Sequence, residues 1–339
     1  MMRAVEYDRY GGAGELVVRT VPRPDPKPGE VLVRVHGLQR EPRRHEDPRR
    51  KDADDVRAAL PEAHGDGFRR RGGRGRSGRD QCGERPTGLG LLGDVSGRSG
   101  AAAEYVIAKP SAISAVPATL DLVTAAALPS VGVTALRALR DIVRLEPGDD
   151  LLVVGASGGV GSIAIQLGHA MGAKVTAVAG AANDTFCRGL GAARTIDYAA
   201  PGGPSGDFDV ILDCHGTSLG AYRRLLRPRG RMMTTSADGM TFALLSALRP
   251  GPRMRLLMAR SRRADLAALA EQVDQGRVRP VVERTYPLDS VADAHRAAET
   301  GHARQESDRR PGRSSLRPSR GRNRPGAQPG AATPSGPLY

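Results

Sequence analysis

The 339-residue chain has no tryptophan, four phenylalanines and seven tyrosines, so aromatic residues make up only 3% of it. A core must therefore be built almost entirely from aliphatic side chains. Cysteine is equally scarce. Cys82, Cys187 and Cys214 are too few and too scattered for a disulfide framework or a four-cysteine zinc site. No apolar run approaches the roughly 20 residues that span a bilayer. The opening "MMRAVEYDRYGG" also lacks the apolar segment of a signal peptide. These absences point to a cytoplasmic chain with no membrane partner. What the chain has in excess is positive charge, 51 Lys and Arg against 37 Asp and Glu, a formal +14. That balance ordinarily speaks for a polyanionic partner. Its distribution argues otherwise. Residues 38–87 carry 14 basic and 10 acidic residues, and 305–339 carry 7 and 2, so two blocks without hydrophobic periodicity hold +9 of the total.

The rest is patterned. Residues 2–37 alternate and break at prolines, as a small antiparallel sheet with Pro-rich connections does. Short strands are expected over 101–116, and "LDLVTAAALPSVGVTALRAL" has helical spacing broken at Pro129. From 148 the pattern changes. "GDDLLVVGA" holds a short, continuous apolar run, the mark of a strand buried on both faces. "SGGVGSIAIQLGHAMGA" follows as a glycine-opened helix. "KVTAVAG", "RTIDY", "FDVILDCHG" and "RMMTTSA" are further strands, with "NDTFCRGLGA" and "GAYRRLLRPRG" as helices between them. Alternating strands and helices with short links predict a parallel sheet with helices on both faces. "RADLAALAEQVDQG" then reads as a helix, "VRPVVERTYPL" as a strand, and "DSVADAHRAAETG" as a helix capped by Asp289 or Ser290.

The strongest signal is "VVGASGGVGSIAIQLGHAMGAKVTAV", residues 153–178. A dinucleotide fold needs a strand ending in a turn without side chains, so that backbone N–H groups meet the pyrophosphate where a helix begins. Gly155, Gly158 and Gly161 stand at G-x-x-G-x-x-G spacing with Gly159 between them. The first allows the tight turn, the middle pair lets phosphate approach the backbone, and Gly161 lets the helix pack on the strand. A lone glycine triplet is weak; here a strand precedes it, a helix follows, and a second strand comes at the right distance. The end of that second strand, "AVAGAAND", offers no acid before Asp184 and no base at Gly180, Ala181 or Ala182. An acid there favours NAD. Its absence favours NADP, with Arg188 or Arg194 as candidate partners of a 2′-phosphate and NAD as the alternative.

"MRAVEYDRYGG…VPRPDPKPGEVLVRV", "AAALPSVGVTALRAL", "VVGASGGVGSIAIQLGHAMGAKV", "LGAARTIDY", "FDVILDCHG" and "LLRPRGRMM" together resemble the medium-chain dehydrogenase/reductase superfamily, in the zinc-free quinone oxidoreductase branch related to zeta-crystallin. The resemblance covers about 1–37 and 88–304. It implies an α/β fold, a Rossmann doubly wound parallel sheet plus a GroES-like, mainly-β catalytic domain made from both chain ends. The expected division is 1–124 and 261–304 for the catalytic domain, 125–260 for the Rossmann domain, and a disordered tail over 305–339. It implies NAD(P)H-dependent reduction of a quinone, enone or related carbonyl, and admits a homodimer.

The cofactor positions implied or read are Thr134, Gly155, Ala156, Ser157, Gly158, Gly159, Val160, Gly180, Tyr198, Cys214, His215, Thr235 and Ser236. Gly155 to Val160 form the phosphate turn. The resemblance places Thr134 against the nicotinamide and Tyr198 on the adenine side, where plain packing is the competing explanation. Cys214 and His215 end a strand at the sheet's carboxyl edge and meet the cofactor by backbone. They are not a nucleophilic pair, because no third group orients the histidine. Thr235 and Ser236 end the next strand. Zinc-dependent relatives place a Cys near 39 and a Gly-His-Glu near 65. Neither is here, so no metal is expected.

The family's cleft segment after "VLVRVH" is missing as written. The catalytic residues are accordingly unassigned, and the expected segment lies at Glu41–Arg44. Moving the reading frame by one base restores it. "HGDGF" running into Arg69, Arg70 and Arg71 permits Met-Gly-Met-Asp-Phe-Ala-Gly-Val. "GLQREPRRHEDP" permits Ala-Ser-Ser-Val-Asn-Pro-Val-Asp-Thr-Lys-Ile-Arg. "RQESDRR" permits Gly-Lys-Arg-Val-Thr-Val-Val. The expectation is that about 38–87 and 305–339 are translated out of frame. The catalytic domain is then incomplete as written. "RRRGGRGRSGRD" becomes misread GC-rich codons rather than an RNA-binding run. A catalytically dead dinucleotide-binding remnant, and a basic nucleic-acid-binding protein with salt-sensitive RNA affinity, are the competing readings.

Overall fold

The computed structural model describes residues 1–9, 11–40, 56–59, 62–64, 87–91, 101–201, 203–236, 254–256, 262–299 and 306–309. The chain opens on a hairpin in which β1 (Met2–Glu6) pairs antiparallel with β2 (Val17–Val21). Prolines 22, 24, 26 and 28 then deprive the backbone of four ladder donors. The next strand, β3 (Val31–Arg34), does not extend that hairpin. After β4 (Gly37–Arg40), β5 (Val56–Ala59), β6 (Glu62–His64) and β7 (Gly88–Gly90) comes β8 (Tyr105–Ala108), and β3 lies between β6 and β8. β9 (Ile113–Ala115) pairs with β7. Val31, Val33, Val35 and Leu38 pack with Val106, Ala108 and Ile113 as a separate small core.

Two short helices lead to the central sheet. α1 (Leu122–Ala125) is capped by Asp121, whose carboxylate accepts from the Val123 and Thr124 amides at 2.9 and 3.0 Å. α2 (Pro129–Arg137) has Pro129 in its first turn, where the missing N–H costs nothing. The sequence break at Pro129 is thus a helix start. The sheet follows: β10 (Asp150–Val154), α3 (Gly159–Ala170), β11 (Lys174–Ala179), α4 (Asp184–Gly189), β12 (Arg194–Asp197), β13 (Phe208–Asp213), α5 (Leu219–Arg223), β14 (Leu226–Thr234) and β15 (Met254–Leu256). All six strands are parallel, in the order β12-β11-β10-β13-β14-β15. Leu151 and Val153 face one hydrophobic cluster and Leu152 and Val154 the other. That two-sided burial is why "LLVV" is apolar throughout rather than alternating. The predicted helix over "GAYRRLLRPRG" is too long. It stops at Arg223, and β14 already runs from Leu226, because Pro228 cannot donate to a continuing helix.

α6 (Arg263–Asp274) packs back onto α2, and the chain then crosses to β16 (Arg284–Pro287), α7 (Val291–Glu299) and β17 (Glu306–Arg309). Gln166, buried in α3, holds the crossing segment. Its amide donates to the Arg279 carbonyl at 3.0 Å and accepts from the Arg279 N–H at 2.9 Å. Asp289 does not cap the last helix; its carboxylate receives the Arg3 guanidinium at 3.1 Å. The expected strand over 278–288 is reduced to β16.

The expectation of a structureless tail fails for Glu306–Arg309. This strand pairs parallel with β16 and antiparallel with β4, in a sheet of order β16-β17-β4-β5. Ladder hydrogen bonds come from backbone groups, which a proline-free tetrapeptide supplies whatever its side chains. The cleft segment at Glu41–Arg44 and the chain after 309 lie outside the described residues. Among the described residues no helix is long and apolar enough to cross a membrane.

Candidate dinucleotide site

The strand order reverses direction of winding between β10 and β13, and open α/β sheets take ligands at the carboxyl ends of the strands at that point. β10 ends at Val154. Gly155 follows with φ +73°, a left-handed conformation that side-chain-bearing residues rarely adopt. The Ala156 amide donates to the Val178 carbonyl at 3.0 Å and the Gly158 amide to the Gly155 carbonyl at 3.1 Å, closing the turn. α3 starts at Gly159 with Gly158 as its N-cap. Ser157, Gly159 and Val160 are half-buried, and Gly158 is exposed. A Cβ at Gly161 would stand 2.7 Å from the Ala156 Cα and closer still to the Gly155 carbonyl oxygen. Backbone therefore passes over backbone with no room for a side chain. The result is a cradle of main-chain N–H groups at the positive end of a helix, a donor set that fits a diphosphate.

At the next strand, Gly180 follows β11 and the Tyr198 ring lies against it. A Cβ on Gly180 would be 3.4 Å from the ring. Tyr198 is 67% exposed, and its amide donates to the Ala179 carbonyl at 3.3 Å. The two arginines expected to reach this point do not. Arg188 spans both Asp184 oxygens at 3.1 Å, and the Thr195 hydroxyl also bonds Asp184. The Thr195 bond first, then the Arg188 guanidinium, hold the Asp184 carboxyl below its ordinary range. Arg194 sits opposite Thr176, well back from the strand end, and donates to the Ser205 carbonyl at 3.0 Å. The second-strand rim thus carries an aromatic hydroxyl and small residues.

On the other side of the switch point the ends of β10, β13 and β14 meet. The Cys214 amide donates to the Val154 carbonyl at 2.9 Å, and the His215 Cβ lies 3.4 Å from where a Gly155 Cβ would be. The His215 ring Nδ1 and the Thr217 hydroxyl are 2.7 Å apart. Gly216 has φ +89°, and a side chain there would overlap Ser236. The Thr235 amide donates to the Asp213 carbonyl at 2.9 Å. The structure therefore brings Gly155 to Val160, Cys214, His215, Thr235 and Ser236 to one rim, with Gly180 and Tyr198 one strand further on. Thr134 is buried within α2, the helix packed on α3.

Burial, then the neighbouring Asp213 charge, push the Cys214 thiol far above its ordinary value. A thiol so held is no nucleophile. Iodoacetamide at pH 8 is expected to label Cys214 in the native protein at least about 100-fold more slowly than a free cysteine, read by peptide mass mapping. Labelling at the free-thiol rate contradicts the assignment.

Asp213 and Thr234 were not singled out from sequence. Asp213 is wholly buried, and its carboxylate accepts from the amides of His215 at 3.1 Å and Gly216 at 2.9 Å and from the Thr234 hydroxyl at 2.7 Å. Its signal was available: an acid directly closing the apolar run "VIL", 210–212.

Against known proteins, the family model described as zinc-binding dehydrogenase matches residues 190–304. Over 331 residues the chain is 29% identical to the chloroplast envelope quinone oxidoreductase homolog of Arabidopsis thaliana, covering 89% of this chain and 96% of that one. It is 34% identical over 239 residues to the mitochondrial NAD(P)H oxidoreductase RTN4IP1 of Mus musculus, 61% of this chain and 60% of the relative. The solved structure of the quinone oxidoreductase from Coxiella burnetii superimposes with a TM-score of 0.77 at 24% identity, covering 91% of this chain and 99% of that chain. The chain is thus similar to zinc-binding dehydrogenases and quinone oxidoreductases, as the resemblance to the medium-chain dehydrogenase/reductase superfamily implies. The six-stranded parallel sheet with its helices has the Rossmann arrangement, and smaller sheets join strands from both chain ends, as in β16-β17-β4-β5. Among the described residues no three His, Cys, Asp or Glu gather as a metal cluster.

Proposed function

We propose that this chain reduces a quinone, enone or related carbonyl by hydride transfer from NAD(P)H, without zinc. The observation that carries the reading is the glycine-rich turn from Gly155 to Gly161, set against the Cys214–Gly216 loop at the sheet's switch point. The names of the quinone oxidoreductase and NAD(P)H oxidoreductase relatives support the reaction class. Bound there, a nicotinamide would supply the hydride. The chain's own part is to hold the diphosphate on the turn, orient the ring beside 214–216 and 235–236, and keep bulk water off. Zinc independence is supported by Gln39, an amide where zinc-dependent relatives place a thiolate. NADP is favoured over NAD because Asp184, the first acid after β11 in the chain, is occupied by Arg188 and Thr195.

The reading includes the reading-frame shift over about 38–87 and 305–339, a cytoplasmic setting and a small-molecule substrate. Gln39, only 2% exposed, has an amide oxygen without a donor among the described residues. Buried polar atoms in native cores are nearly always paired. An unmatched one is what a residue alien to its site produces.

The test compares this chain with one in which both segments are restored by the one-base shift. Both are expected to bind NADPH, with a preference over NADH of about tenfold, roughly 1.4 kcal/mol. The restored chain is expected to oxidise NADPH with a panel of benzoquinones and enones at least about 100-fold faster. Absence of pyridine-nucleotide binding in both overturns the function. Codons that do not yield the restored residues one base along overturn the frame shift alone.

A further inference from the structure

In the doubly wound sheet the two halves of a dinucleotide lie on opposite sides of the switch point, the adenosine half over the strand after the glycine turn. Here that strand is β11, so the nicotinamide half lies over the ends of β13 and β14. Two short loops form that floor, 214–217 and 235–236. Neither is held by a regular ladder. Both converge on one buried carboxylate.

We propose that Asp213 is the positioning residue of the nicotinamide half-site, an inference that rests on the cofactor reading above. Oδ1 accepts from the His215 and Gly216 amides at 3.1 Å each; Oδ2 accepts from the Gly216 amide at 2.9 Å and the Thr234 hydroxyl at 2.7 Å. The Thr234 hydroxyl oxygen in turn accepts from the Ser236 amide at 3.1 Å. The Asp213 carbonyl takes the Thr235 amide. One side chain therefore ties the end of β13 to the end of β14 and sets both loops. Every group around the carboxylate is a donor, and that is a requirement for charge as well as shape. An asparagine offers one acceptor oxygen, and its NH₂ must face either two amide donors or the Thr234 hydroxyl, whose proton then loses its acceptor. The close approach of Gly216 to Ser236 leaves the loops no alternative spacing.

The effect must be local to one half of the ligand. Asp213 touches neither the glycine turn's phosphate amides nor the Gly180–Tyr198 rim, so an adenosine fragment does not sense it. Calorimetric titration with NADPH and with 2′,5′-ADP separates the two. Asp213→Asn is expected to weaken NADPH about tenfold or more while 2′,5′-ADP changes less than about twofold, and to lower kcat as well. Thr234→Val repeats the pattern more weakly, and Thr234→Ser, which keeps the hydroxyl, returns it to the parent values. If Asp213→Asn does not fold, the two Thr234 variants carry the test. Equal weakening of NADPH and 2′,5′-ADP, or no weakening of either in a parent that binds both, overturns the inference alone. A parent that binds neither ligand overturns the cofactor reading first, and this inference with it.

Discussion

A Gly161→Val protein is expected to lose detectable NADPH binding while keeping its secondary structure. The β-carbon would meet backbone atoms rather than a side chain: the Ala156 Cα at 2.7 Å, its carbonyl carbon at 2.9 Å, and the Gly155 carbonyl oxygen nearer still. A side chain can rotate out of the way; this backbone cannot, because Ala156 is hydrogen-bonded to β11 and Gly155 is committed to φ +73°. Relief comes only by lifting the first turn of α3 off β10. The phosphate-facing amides then move by a sizeable part of an ångström, and preorganised donors lose their value at that scale. A loss of about 100-fold in affinity, roughly 2.7 kcal/mol, is the expected minimum, measured by titration with NADPH fluorescence. A Gly161→Val protein that binds as the parent does would remove the glycine turn from the site.

The second large effect is on stability. Asp265→Ala is expected to destabilise the protein by about 3 kcal/mol, the low end for breaking a buried ion pair, and to lower the denaturant midpoint accordingly. Asp265 is buried near the start of α6 and receives Arg140 Nη2 at 2.6 Å and Arg137 Nε at 3.7 Å. Both arginines come from the α2 end of the chain, so the carboxylate pins α6 to the helices that lead into the Rossmann sheet. Asp141 binds the same two arginines from the solvent side, at 2.6 Å from Arg140 and 3.7 Å from Arg137. Without Asp265, Asp141 must serve both guanidinium groups, one of them mostly buried. The α2–α6 packing is tight besides: a Cβ on Gly132 would press on Leu269. Asp265→Asn, which keeps hydrogen-bonding capacity without charge, is expected to lose about half as much. Unfolding curves that superimpose on the parent's would show that the cluster contributes nothing to stability.

Both effects depend on features that differ in how far they can be read from sequence. The turn at 155–161 was legible because everything that defines it is local. A buried strand, three glycines at fixed spacing and a helix lie within about twenty residues, and each leaves its own period. The same locality made the parallel sheet legible, since strands buried on both faces are apolar without alternation. Asp265 carries no such mark. An aspartate in the first turn of a helix is ordinary, and only the return of α6 onto α2 turns it into the counter-charge of two arginines.

Arg188 and Arg194 show the same boundary from the other side. Sequence placed them close enough to the second strand's end to serve a phosphate. The fold gave Arg188 to Asp184 and put Arg194 at the first residue of its strand, away from the carboxyl end. The alternation over 2–37 reads as one small sheet, and pattern alone has no means of choosing β6 and β8 as the neighbours of β3. Glu306–Arg309 has no strand-like composition at all, yet it completes a sheet with β16 and β4. Period and glycine spacing therefore determined the fold class, the superfamily resemblance and the phosphate turn, since these follow from which backbone can bend and which face is apolar. Tertiary structure decided who bonds to whom: the donors around Asp213, the partner of Arg188, the neighbours of β3. A hydrogen-bonding group identifies its own chemistry in the sequence, but its partner is chosen by chain segments that come together only when the sheet closes.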